Sequence, residues 1–157
     1  VLCRRYVVFA LGLAMLLPRY ALADETLPAP RQETILIETD QTSHILAVEI
    51  ADTPALRERG LMFRHRLAKD RGMLFLYGRV QPVAMWMKNT YIPLDMVFVR
   101  ADGSIAEVVE GTVPHSLDTI QSREPVLAVL EVAAGGARRL GLRPGAVIRH
   151  SFFGNAD

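Results

Sequence analysis

The chain of 157 residues holds one cysteine, Cys3, so a single copy can form neither a disulfide nor a zinc-thiolate site. Aromatic residues make up 7% and the formal net charge is only +1, which removes any bulk electrostatic case for nucleic acid. No apolar run reaches the ~20 residues that span a bilayer; the longest, residues 6–17, has twelve. The four histidines, His44, His65, His115 and His150, never stand at H-x-x-x-H spacing. There is no G-x-S-x-G, Walker A or dinucleotide fingerprint, and neither a metal site nor a cofactor is expected.

What is present begins with an address. Arg4 and Arg5 precede the apolar run, and Ala21-Leu22-Ala23 then places small residues at alternate positions. That layout reads as a secretory signal over residues 1–23, with cleavage between Ala23 and Asp24. Export to the periplasm or medium is expected; the alternative is an uncleaved N-terminal membrane anchor, because Pro18 and Arg19 interrupt the approach to the cleavage site. Cleavage would take away Cys3 with Arg4, Arg5 and Arg19, leaving a thiol-free chain with 15 basic and 17 acidic residues.

Residues 24–33 combine charge with two prolines and no apolar period, so a disordered spacer is expected there. A single β-rich domain is expected over 34–157. Two apolar-alternating runs, 34–39 and 44–50, flank the polar Asp40-Gln41-Thr42 and predict a hairpin. Thr53-Pro54 predicts a short helix, with a side-chain oxygen to cap it and a proline where no amide hydrogen is needed, ending at Gly60. Further strands are expected at 72–77, 84–88, 94–100, 104–110, 126–133 and 146–152, with a helical turn at 137–140. Asp102-Gly103 and Arg143-Pro144-Gly145 are tight-turn sequences. The fold class is mainly β (α+β), a small, mostly antiparallel barrel or sandwich with one or two short helices.

The densest segment is MWMKNTYIPLDMVF, residues 85–98. Strand alternation places Met85 and Met87 on one face with Trp86 and Lys88 on the other. Asn89 and Thr90 follow in a turn fixed by Pro93, and Asp95 then shares a strand face with Val97 and Val99. A carboxylate on an apolar face must be paired or multiply hydrogen-bonded, and Glu131, beside Leu127 and Val129, repeats the situation. Arg59 and Arg64, which bracket Gly60-Leu61-Met62-Phe63, are the candidate partners by composition.

The strings RERGLMFRHRL (57–67), GMLF (72–75), WMKNTYIPLDMVF (86–98) and VLEVAAGGARRLGLRPG (129–145) resemble the domain of unknown function 192 family of uncharacterised bacterial and archaeal proteins. The resemblance covers about 100 residues and implies a compact, β-rich, often exported domain without an assigned activity. Matching motif positions include Arg59, Arg64, Trp86, Asn89, Thr90, Asp95 and Glu131. Met85 departs from the family, where an aromatic residue is common before the tryptophan.

Three functional readings follow. The first is a binding or accessory module for a small molecule or envelope component. Trp86 would offer a flat face, Asn89, Thr90 and Asp95 would orient the ligand, and Arg59, Arg64 and Glu131 would assist. Its plain counterpart makes Trp86 a core residue and spends the polar groups on one turn. The second is a hydrolase of saccharide or cell-wall material using Asp95 and Glu131 as paired carboxylates, so whether the chain is an enzyme stays open. The third is Cu(I) capture by methionines, with Met85 and Met87 on one face; core packing is its counterpart. Oligomeric state is not legible.

Overall fold

A computed structural model describes residues 28–156. The expected signal, its cleavage point at Ala23-Asp24 and the first part of the expected spacer lie outside the described residues. Strand β1 (Arg31–Glu38) begins three residues inside that spacer, pairing antiparallel with β2 (Ser43–Ala51) from Arg31 opposite Ile50 onward. The charges that suggest a solvated linker have partners in the folded chain. Arg31 pairs with Glu33 and Asp52, Gln32 accepts from Arg71, and Glu33 meets His150 at 2.7 Å.

The helix α1 (Pro54–Arg59) starts as its sequence dictates: the Thr53 hydroxyl accepts from the Leu56 amide at 3.2 Å and Pro54 occupies the first turn. Because α1 and the loop after it carry the chain back across, β3 (Arg71–Gln81) pairs parallel with β2. The remaining ladders are antiparallel. The sheet strands that follow are β5 (Leu94–Val99), β6 (Ile105–Val109), β8 (Val126–Ala133) and β9 (Val147–Arg149), with the four-residue α2 (Gly136–Arg139) between the last two. The main sheet has the order β6-β5-β8-β3-β2-β1-β9, and a bridge between Ser104 and Val147 brings its two edges together into a nearly closed barrel. Gly103 makes this closure with a φ of 85°, and a side chain there would overlap the Ile148 carbonyl.

Two expectations are corrected in detail. The strand expected at 84–88 is only β4 (Ala84–Met85), because its partner β7 (Ile120–Gln121) offers two residues. The strand expected at 146–152 stops at Arg149, and Ser151–Phe153 forms a 3-10 turn whose first amides are capped by His150. The Met85, Met87 against Trp86, Lys88 alternation nevertheless holds in exposure.

The barrel sheet buries both faces. Its interior is filled by aliphatic side chains such as Ile35, Leu46, Leu74, Val97 and Leu130. The outer face of β3, β5 and β8 is buried separately under α1, the 60–68 loop and the 82–93 segment, around Phe75, Met87, Met96 and Phe98. This second layer positions the candidate site.

Candidate functional site

Three loop segments meet above the outer layer. The Phe63 amide donates to the Asn89 carbonyl at 2.8 Å, the His115 amide to the Thr90 carbonyl at 3.1 Å, and the Met87 amide to the Ser116 carbonyl at 3.1 Å. At this junction stand all three non-glycine residues with positive φ among those described: Phe63 (64°), Asn89 (54°) and His115 (63°). A left-handed backbone costs a residue with a bulky side chain on the order of 1 kcal/mol or more, and such strain is concentrated at functional sites.

The same junction exposes aromatic surface. Trp86 is 45% exposed, Phe63 46% and Tyr91 38%. Tyr91 packs against the rings of His65 (4.8 Å between centroids), His115 (5.2 Å) and Phe63 (6.1 Å, edge-on). Cations cover two of the faces: Lys88 lies 4.8 Å from the Trp86 ring centroid, and the Arg59 guanidinium 5.4 Å from that of Phe63. A cleft of about 360 Å³ runs between α1 and this rim, lined by Arg59, Met62, Trp86, Lys88 and Asn89 among others. Arg59 and Met62 also wall a neighbouring cavity of about 390 Å³ that reaches Arg64 and Met73.

The residues singled out from sequence separate into two groups. Arg59, Trp86 and Asn89 converge on the cleft, and Trp86 is no core residue. Arg64 lines the adjoining cavity but is held by a bidentate pair with Glu49 at 2.6 and 2.5 Å. Thr90, Asp95 and Glu131 do not line the cleft. Thr90 is buried and donates its hydroxyl to the Lys88 carbonyl, a structural role in the turn.

Asp95 is fully buried, and its partner is neither Arg59 nor Arg64. One carboxylate oxygen accepts from the Gly111 amide and the other from the Ala137 amide, both at 2.9 Å. Two backbone donors satisfy the charge and tie the end of β6 and the start of α2 to β5. Glu131 is different. It is 4% exposed, makes no hydrogen bond or ion pair to another described residue, and burial pushes its carboxyl up to about 8.

The two carboxylates cannot act together. Asp95 stands opposite Val132 in the β5/β8 ladder and Glu131 opposite Met96, so their side chains leave opposite faces of the sheet. The paired-carboxylate arrangement expected as one alternative is therefore not formed. Nor are Met85 and Met87 a free pair of sulfurs: Tyr77 donates its hydroxyl to Met85 at 3.4 Å, and Thr112 to Met87 at 3.1 Å.

Residues 35–150 match the family described as DUF192, Uncharacterized ACR. The chain belongs to the DUF192 family. Among solved structures similar to this chain, a Sinorhizobium meliloti 1021 protein described as "a putative transcription regulator" is 46% identical, with a TM-score of 0.78, covering 80% of this chain and 98% of its own. A protein of unknown function from Novosphingobium aromaticivorans DSM 12444 is 34% identical, with a TM-score of 0.73, covering 76% of this chain and 85% of its own. No curated protein matches. The DUF192 motif residues thus serve two ends, some forming the cleft and others holding the barrel.

Phe63, His65, Lys88, Tyr91 and His115 are functional candidates that the sequence did not single out. Lys88 and Tyr91, inside the dense motif, carried a local signal. The left-handed backbones of Phe63 and His115 are set by hydrogen bonds to residues 26 and 25 positions away in the chain.

Proposed function

We infer that this DUF192 chain is an exported ligand-binding or accessory module whose binding surface is the cleft between α1 and the Phe63-Asn89-His115 rim. The observation that carries this reading is the coincidence of three left-handed non-glycine residues with three exposed aromatic rings at one junction. Strain and exposed apolar surface both cost stability, and a ligand that covers the rings gives a reason for both.

The cleft is within the size range of small-molecule sites. Two cations, Arg59 and Lys88, against one carboxylate, Glu58, leave its lining net positive, which favours a small ligand with a flat or apolar portion to lie on Trp86 and an anionic group to meet Arg59 and Lys88 on the side away from Glu58. Asn89 supplies a donor and an acceptor for orientation. The transcription-regulator description of the Sinorhizobium protein finds little support in this chain, whose longest described helix has six residues, too short to serve as a recognition helix. Export rests on the residue pattern before Asp24 and is tested by fractionation of cells expressing the full chain.

Trp86 is the chain's one tryptophan, so its fluorescence reports on the cleft alone. A screen of small anionic aromatic compounds and saccharide acids should yield saturable quenching that Arg59→Ala and Lys88→Ala each weaken, and calorimetric titration of Trp86→Phe, which lacks the fluorophore, should show weaker binding than the parent. If Arg59→Ala and Lys88→Ala leave every such titration unchanged, the cleft is not the binding surface.

A further inference from the structure

Methionine is distributed unevenly between the two apolar layers. None of the nineteen residues filling the barrel interior is methionine, whereas Met73, Met85, Met87 and Met96 are four of the twelve in the outer layer. The fifth described methionine, Met62, lies on the rim of that layer and lines both cavities. Packing of an irregular cover explains some of this, because methionine fills gaps well. It does not explain the company two of them keep.

Glu131 of β8 is the direct cross-strand neighbour of Met73 on β3 and of Met96 on β5. All three leave the sheet on the outer face, where directly opposed Cβ atoms stand about 5 Å apart, within reach of long side chains. Met73 and Met96 are 2% and 0% exposed, and the carboxyl between them has no protein partner among the described residues. An unpartnered carboxyl in an apolar layer is a standing cost, since a similarly shaped leucine or methionine would remove it. Access remains through the small exposed fraction of Glu131 and through the cavity that Met73 helps to line.

We propose that Glu131 with the thioethers of Met73 and Met96 forms a binding site for a soft monovalent cation of the Cu(I) or Ag(I) class. Thioether sulfur selects soft ions over Mg²⁺, Ca²⁺ and Zn²⁺, and one carboxylate balances the single positive charge. Neutral sulfurs would also suit the exported form proposed above, which would lose Cys3 on cleavage and occupy an oxidising compartment where cysteine ligands are lost to disulfides. Met85 and Met87 are outside the site, because Tyr77 and Thr112 already use their sulfurs. The site lies beneath the sheet cover and does not depend on the Trp86 cleft.

The test is a titration of the full chain carrying Cys3→Ser, which removes the competing thiol, with Ag(I) and with Cu(I) under reducing conditions against a chromophoric chelator. One equivalent should bind at micromolar affinity or tighter. Met73→Leu and Met96→Leu, which conserve volume, should each weaken binding at least tenfold, as should Glu131→Gln. Met85→Leu, Met87→Leu and Trp86→Ala should leave it unchanged, and X-ray absorption should find two sulfur neighbours. The proposal is overturned if no ion binds at micromolar concentration, or if the Met73→Leu/Met96→Leu double variant, shown folded by circular dichroism, binds as the parent does. A loss of binding caused by Met85→Leu or Met87→Leu instead would place the sulfurs elsewhere and overturn it equally.

Discussion

Asp95 and Glu131 occupy adjacent strands within one ladder position of each other, yet the sheet separates their carboxyl groups. The pleat sends one into the barrel interior, where two amides donate to it, and the other into the outer layer, where it has no hydrogen-bond partner among the described residues. Two acidic residues that look equivalent in sequence thus have opposite energetics.

Asp95 is a structural anchor, and its loss leaves the buried Ala137 amide and the part-buried Gly111 amide without their acceptor. Asp95→Ala should destabilise the fold by about 3 kcal/mol or more, measured by urea unfolding. Asp95→Asn retains a single acceptor and should cost about half as much. An unchanged midpoint in both variants would show that water replaces the carboxylate.

Glu131 gives the fold a pH dependence of known sign. Its folded-state carboxyl titrates near 8 against 4.5 for the free group, so the native state holds the extra proton between those values. Stability is therefore complete below about pH 4.5 on this account and declines as pH rises through 8, by up to ~5 kcal/mol. Glu131→Gln should flatten that decline and be more stable than the parent at pH 8.5. Thermal melts from pH 5 to 9 decide the point.

His115 is exposed and held at a φ of 63°, a conformation glycine adopts without strain. His115→Gly should raise stability by about 0.5–1 kcal/mol while reducing ligand-induced quenching of Trp86. A destabilised variant would mean that packing on Tyr91 outweighs the strain.

Trp86→Ala removes a half-exposed ring from no core, so its stability cost should stay below about 1 kcal/mol. Thr53→Ala, by contrast, takes the cap from α1 and should cost about 1 kcal/mol although it touches no ligand. Chemical denaturation of the two variants side by side separates the binding role from the folding role.

Much of the fold was legible because its signals are local. Alternation marked β8 over residues 126–133, Thr53-Pro54 marked the start of α1, and Asp102-Gly103 marked the turn that closes the barrel. Charge misled at Arg31–Glu33, since the partners outside the segment that draw those residues into β1 lie 21 to 117 positions away. The candidate site was half legible: Arg59, Trp86 and Asn89 could be named from the motif, but Phe63 and His115 could not.

Local sequence sufficed for most strands of the main sheet, the tight turns, the helix cap and the membership of one family, because each depends on neighbours within a few residues; the start of β1 and the short extents of β4 and β9 do not. Tertiary structure alone decided which face each carboxylate takes, which arginine meets which acid, and where the backbone turns left-handed. Those outcomes depend on register between strands and on hydrogen bonds between distant loops. A residue's own neighbourhood in the chain contains no record of them.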